Sequence, residues 1–289
     1  MIYYVLIFLA ALGCGVNFVL AKIYQLEQGN TLKTGSVYNC LIGISGAIIY
    51  FVICGFKVEI TTFSFIMAVA STLFVGAYTI IGFKIMSMGS MAVYTVFLML
   101  GGMILPYFYG VIFLDEKITL MKTIALIIMM IAILMQNNSN KEKRRTLFYV
   151  LCIAVFVING GVSIVSKMHQ STHYEIVSNN GFVLLKNIMA FLVYGAIIPF
   201  AGERKKEKIK LKPKMYVLIV IGSLIGGASY MFQLVCASNL PASVQFPVMS
   251  GGVIIFTALC GLIFFKENIS KKQCVSLVLC LISMIAFVL

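Results

Sequence analysis

The chain has 289 residues, 61% of them hydrophobic and only 11% charged, with a net charge of +13. A soluble domain carries about one quarter charged residues, so this composition excludes an ordinary water-soluble enzyme and points to a membrane. Much of the positive surplus sits in two short segments, NKEKRR (140–145) and ERKKEKIKLKPK (203–214); beside apolar runs such charge marks loop topology rather than a nucleic-acid surface.

A run of about 18 or more apolar residues reads as a spanning helix, because a bilayer core takes about 20 helical residues to cross. The first run, 2–21, lacks a charged leader and a small-residue cleavage site, so a retained span is expected; it carries Asn17. The second, 34–55, holds Asn39, the third, 61–83, holds Tyr78, and the fourth, 90–113, holds Tyr94, Gly101-Gly102 and Pro106. Asp115 and Glu116 then close the fourth run before the fifth, 119–136. The sixth, 147–166, contains Asn159 and is followed by Lys167, His169 and His173. The two histidines are four apart, a spacing that suits a metal on a helix, but a solvated connection is the expected setting. The seventh run, 177–200, has Lys186 in its interior. From 215 to 265 there is no charge at all, far too long for one span; Asn239 and Pro241 supply a turn that splits it. The eighth run, 215–236, then carries Tyr230 and Gln233, the ninth, 242–265, carries Gln245, Pro247 and Gly251-Gly252, and the tenth is 272–289.

Two stretches repeat each other. GGMILPYFYGVIFLDEKIT (101–119) is echoed by GGVIIFTALCGLIFFKENIS (251–270), and Gly76-Ala77 by Gly227-Ala228. GVNFVLAK (15–22) is echoed by GVSIVSK (161–167), which places Lys22 and Lys167 in equivalent positions. The expected organisation is all-α and polytopic: a five-helix repeat over 1–136, a basic connecting loop at 137–146, and a second five-helix repeat over 147–289. Five is odd, so the second repeat enters the membrane from the opposite side. Inverted-topology repeats around a midplane site are the architecture of many secondary transporters.

Leu240-Pro241-Ala242-Ser243 entering a span, then Pro247, then Phe264-Phe265-Lys266-Glu267-Asn268-Ile269-Ser270 resemble the drug/metabolite transporter superfamily, in its ten-helix EamA-type branch. The resemblance covers nearly the whole chain, although Asp115-Glu116 and Lys266-Glu267 stand where the family has Gly-Glu. It implies a compact bundle with the fifth and tenth helices peripheral and the others around a central cavity.

With strict alternation, seventeen of the 22 Lys and Arg fall on one face, four on the other and Lys186 within a span. The positive-inside rule puts the larger set in the cytoplasm and both termini outside the cell membrane.

Lys186 is the sharpest candidate. A charge at membrane depth costs at least about 2.5 kcal/mol by insertion scales, so such residues face a cavity or a partner. No acidic residue lies within a span to pair with it. It is expected either to meet an anionic group of a cargo or to bond helix-end carbonyls. Asn17, Asn159, Gln233 and Gln245 are amides that should face water or protein, and Tyr78, Tyr94 and Tyr230 can stack on a cargo or pack. Glu116 and Glu267 are expected to cap or tether helices. Eight cysteines lie in the apolar runs without CxxC or a Cys/His cluster, so neither disulfide, metal nor cofactor is expected. No GxSxG, HExxH or P-loop appears, so no enzyme is expected. The reading is a secondary or facilitative transporter of a small polar metabolite with an anionic group, working by alternating access, with or without a coupling proton or ion, as a monomer or homodimer. The alternatives are an exporter of drugs or amines and a lipid-handling, flippase-like protein.

Overall fold

A computed structural model of the chain describes residues 1–29, 31–88, 91–135, 146–201, 211–266 and 270–288. Glu267 and most of the two basic segments lie outside them. The described residues form ten helices: α1 (Ile2–Gln28), α2 (Leu32–Ile53), α3 (Thr62–Met88), α4 (Met91–Phe113), α5 (Leu120–Met135), α6 (Thr146–Ser171), α7 (Asn179–Ile197), α8 (Pro213–Asn239), α9 (Ala242–Phe265) and α10 (Lys271–Val288). Nine are long and apolar enough to cross a membrane, and α5 is a shorter apolar helix. The protein is an all-α polytopic membrane protein. On most helices one side is buried while residues such as Ile48, Ile112, Val150 and Ile285 are exposed, the pattern of a bundle whose outer surface meets lipid.

Local chemistry starts the helices. Thr31 and Thr34 exchange backbone-to-side-chain bonds as a capping box for α2, Ser178 caps α7 by accepting from Gly181 N, and Pro213 sits in the first turn of α8, where its missing N–H costs nothing. Asn239 and Pro241 do break the long neutral run, between α8 and α9. Three ends differ from expectation. Helix α3 runs on to Met88. Helix α1 continues past Lys22 to Gln28, and α6 continues past Lys167 to Ser171, so His169 is helical and buried rather than in a solvated connection.

The packing repeats itself. Helices α1 and α8 pack together and so do α6 and α3; α1 packs on α9 as α6 does on α4; α2 packs on α8 as α7 does on α3. Each second pair follows from the first by exchanging every helix for the one five places along. Even the close approaches correspond. Gly15 lies against Phe256 as Gly160 lies against Leu105, and Gly252 against Ala11 as Gly101 against Phe156. Gly101 thus answers Gly252, one residue later than the sequence match placed it.

Helices α2 and α7, which exchange with each other, run antiparallel. Cys40 Sγ reaches Phe191 O at 3.7 Å, while Gly46, further along α2, abuts Asn187, earlier in α7. Between them a Cβ on Gly43 would stand 2.7 Å from Phe191 N, so only glycine lets the two backbones meet there. Helices α5 and α10 are likewise antiparallel. Ser276 Oγ donates to Ala132 O (2.7 Å) and Ser283 Oγ to Ala125 O (2.6 Å). Helix alternation leaves the α1–α2, α3–α4, α5–α6, α7–α8 and α9–α10 connections on one face, called the basic face below, and the other four on the far face.

Candidate functional site

A cavity of about 450 Å³ is walled by α1, α2, α3, α7 and α8. No residue of α5 or α10 lines it, so these two are peripheral. On α1, α2, α3 and α8 the lining stays at least nine residues from the far-face end, reaching only Cys14, Ile42, Thr72 and Tyr230. The space therefore lies at mid-bundle, displaced toward the basic face along α1 and α2.

Lys186 lines this cavity. It comes seven residues after the start of α7, about 10 Å from the far-face end at 1.5 Å per residue. Its Nζ sits 3.6 Å from the centre of the Tyr230 ring, a cation–π contact worth up to about 2 kcal/mol when desolvated. It is the charged residue in the described lining, so the contact is with a π face and not with a counter-ion. Asn187 beside it donates to Val183 O at 2.9 Å.

Asn17, Tyr78 and Tyr230 also line the cavity. With its amide turned to suit its neighbours, Asn17 donates to Gly222 O (3.1 Å) and accepts from Gly226 N (2.9 Å). Those two groups are four residues apart, so Asn17 occupies the donor and acceptor of one turn of α8. A side chain inserted into the helix ladder is a recognised place for a bend. Tyr230 OH is 2.9 Å from Ser166 Oγ on α6.

The other expected residues are placed off the cavity. Asn159 donates to Leu98 O at 2.7 Å, tying α6 to α4, and Tyr94 packs over Gly82. Gln245 is buried in the α8–α9 contact and donates to Gln233 O at 2.8 Å. Gln233 stands one contact behind the wall, its Nε2 3.7 Å from Cys14 Sγ. The lining gains Tyr38, Asn39, Thr72, Tyr194 and Ser223. Of these, only Asn39 carried a sequence signal, as a polar residue within an apolar run.

Beyond the cavity, at the far face, polar contacts join the helices. Ser64 Oγ accepts from Val177 N (3.1 Å) and bonds His169 Nε2 (2.9 Å). The His169 ring stacks on Phe182 at 3.8 Å. Gln170 links His169, Asn179 and Ser238. Glu59 accepts from Ser178 N at 2.9 Å, and that N–H holds its carboxyl below the ordinary value of 4.5. Lys167, only 6% exposed, donates to Ala237 O (2.8 Å) and Leu240 O (2.7 Å). Glu116 accepts from Ala242 N (2.6 Å) and Ser243 N (2.8 Å), which makes it a cap for another helix, as the sequence suggested.

Residues 146–289 match the model of the EamA-like transporter family. No curated protein matches the sequence. One solved structure, described only as the crystal structure of a protein, shares the fold over 99% of this chain and 98% of its own, with a TM-score of 0.77 at 10% identity.

Proposed function

We propose, from the match of residues 146–289 to the EamA-like transporter family, that the chain is a membrane transporter of the drug/metabolite type and carries a small polar metabolite bearing an anionic group across the cell membrane by alternating access. The observation that carries this reading is Lys186. It is a cation at membrane depth, set in a cavity and held only by the face of Tyr230 among its described contacts. Insertion scales put the cost of such a charge at about 2.5–3.5 kcal/mol, and one cation–π contact offsets only part of it. An anion arriving from water completes the pairing. The amides of Asn17, Asn39 and Asn187 and the hydroxyls of Thr72, Tyr38, Tyr78 and Tyr194 surround the remaining volume, enough for a molecule the size of an amino or organic acid. A drug or amine cation would have to bind beside Lys186 with no carboxylate in the described lining to balance it, so the export of cations is the weaker reading.

Alternating access draws support from the repeated packing. If the two halves are inverted copies, as the antiparallel α2–α7 crossing supports, each can adopt the conformation the other now holds. The cavity is walled by α1 but not by its counterpart α6; the exchanged state would be walled by α6 and face the other way. The basic face would be cytoplasmic, leaving both termini outside. A C-terminal tag cut by protease added to intact cells supports this orientation, and protection of the tag refutes it.

Lys186→Met tests the site. Uptake of whichever anion the wild type accumulates should fall at least about 100-fold, a transition-state loss of about 2.7 kcal/mol, while the melting temperature in detergent holds or rises because an intramembrane charge has gone. A lysine kept for structure would give the reverse pattern: a lower melting temperature with uptake retained.

A further inference from the structure

A carrier must shut one face while the other is open, and the far face shows how it is held. Helix α9 begins after Pro241, which offers no side-chain cap. Its first amides are instead satisfied from another hairpin, by both oxygens of Glu116 on Ala242 N and Ser243 N. The preceding helix, α8, is held by a second group, because Lys167 grips Ala237 O and Leu240 O at its end. An anion sits on a helix N-terminus and a cation on a helix C-terminus, each matching the local dipole. The α8–α9 turn is thus clasped by the α4–α5 connection and by α6.

We propose that Glu116 and Lys167 form the latch of the far face, and that releasing the α8–α9 turn opens the cavity there. The proposal rests on the carrier reading for its purpose but not for its test. A cap supplied by a distant hairpin, where a local serine or aspartate would serve a permanent turn, can be exchanged for water as the face wets. Protein–water bonds then replace protein–protein bonds at little net change, so the closed and open faces stay close in free energy. The latch also reaches the cavity. Ser166 precedes Lys167 and meets Tyr230 OH at 2.9 Å, and Tyr230 carries Lys186 on its ring. A cargo that draws Lys186 off Tyr230 acts two contacts from the turn.

Cys14 lines the cavity and reports the opening without any cargo. Sealed vesicles of either orientation, assigned by access to a C-terminal tag, are treated with a membrane-impermeant maleimide, and modification of Cys14 is quantified by peptide mass spectrometry. In the wild type Cys14 reacts mainly from the basic face. Glu116→Gln and Lys167→Met should each raise the far-face rate about tenfold, as a minor open state becomes well populated, with the basic-face rate equal or lower. Glu116→Asp, which keeps a carboxylate, should fall between. A far-face rate unchanged in both variants overturns the latch. So do rates that rise equally from both faces with a falling melting temperature, the mark of a merely structural cap. Far-face opening without anion transport in any variant would keep the latch and remove the carrier; loss of uptake in Lys186→Met with unchanged Cys14 labelling in the latch variants would do the opposite.

Discussion

Lys22 and Lys167 hold matching places in two echoing stretches of the sequence, and their described contacts lie at the two ends of the bundle. Lys167 is buried and donates hydrogen bonds to two carbonyls, at the end of α8 and in the α8–α9 turn. Lys22 has its Nζ 4.3 Å from the centre of the Phe265 ring, at the end of α9. The far face is closed by bonds that join α3 to α6, α6 to α8, and the α4–α5 connection to α9. Of the described contacts at the basic face, the ion pair between Lys212 and Glu27 is loose, 3.5 Å with the lysine largely exposed, and pairs of that kind contribute at most about 1 kcal/mol. The two lysines stand in matching stretches of sequence, and their described surroundings differ: backbone carbonyls for Lys167 and a ring face for Lys22.

The comparison breaks most severely at His169. Its ring is fully buried, stacked on Phe182 and bonded to Ser64. His169→Ala should cost about 3 kcal/mol through the cavity it leaves, lowering the melting temperature in detergent by roughly 5–10 °C. A substitution of similar volume change at a basic-face position of the same depth should cost less; equal losses would mean that the two ends are equally held. Tyr230 sharpens the comparison from inside. Tyr230→Leu removes the ring that holds Lys186 and, because a bound anion must draw Lys186 off that ring, should lower KM for the anion about tenfold, near the 1–2 kcal/mol of a desolvated cation–π contact. Tyr230→Phe keeps the ring and loses only the Ser166 bond, so its KM should stay within about threefold. Equal effects of the two variants would show that the hydroxyl, not the ring, matters to the cargo.

The helices and their turns were legible because a membrane span announces itself by the absence of charge. The α8–α9 break was legible too, since Asn239 and Pro241 cannot continue a helix comfortably. The extension of α6 through Lys167 and His169 was not. A lysine and a histidine after an apolar run read as a solvated end unless their partners are known, and those partners, Ala237, Leu240 and Ser64, are about 70 to 105 residues away. The cavity was legible in part. Lys186 stood out because a lone charge in a span must be housed somewhere. Asn17 and Asn159 looked alike, each an amide midway along equivalent helices, yet one lines the cavity and the other bonds Leu98 O. A repeat in sequence cannot show which of two matching helices borders a cavity. Tyr38 and Tyr194 gave no signal, because a tyrosine packed in a bundle and one facing solute carry the same pattern.

The smallest effect is expected at the edge of the far face, where Glu59 accepts from Ser178 N at the start of α7. That backbone bond favours the ionised carboxyl and holds its pKa below the ordinary 4.5. A carboxylate whose folded pKa is depressed adds stability that is complete above its unfolded value and is lost as pH falls through the folded one. The wild type should therefore lose more melting temperature than Glu59→Gln between pH 6 and pH 4, and the two should agree above pH 6 apart from a constant offset. Glu59 is exposed, so salt should shrink the difference. A salt-independent difference of the opposite sign would mean that the glutamate is protonated in the closed face, and that the far face is held at this point by something other than a charged cap.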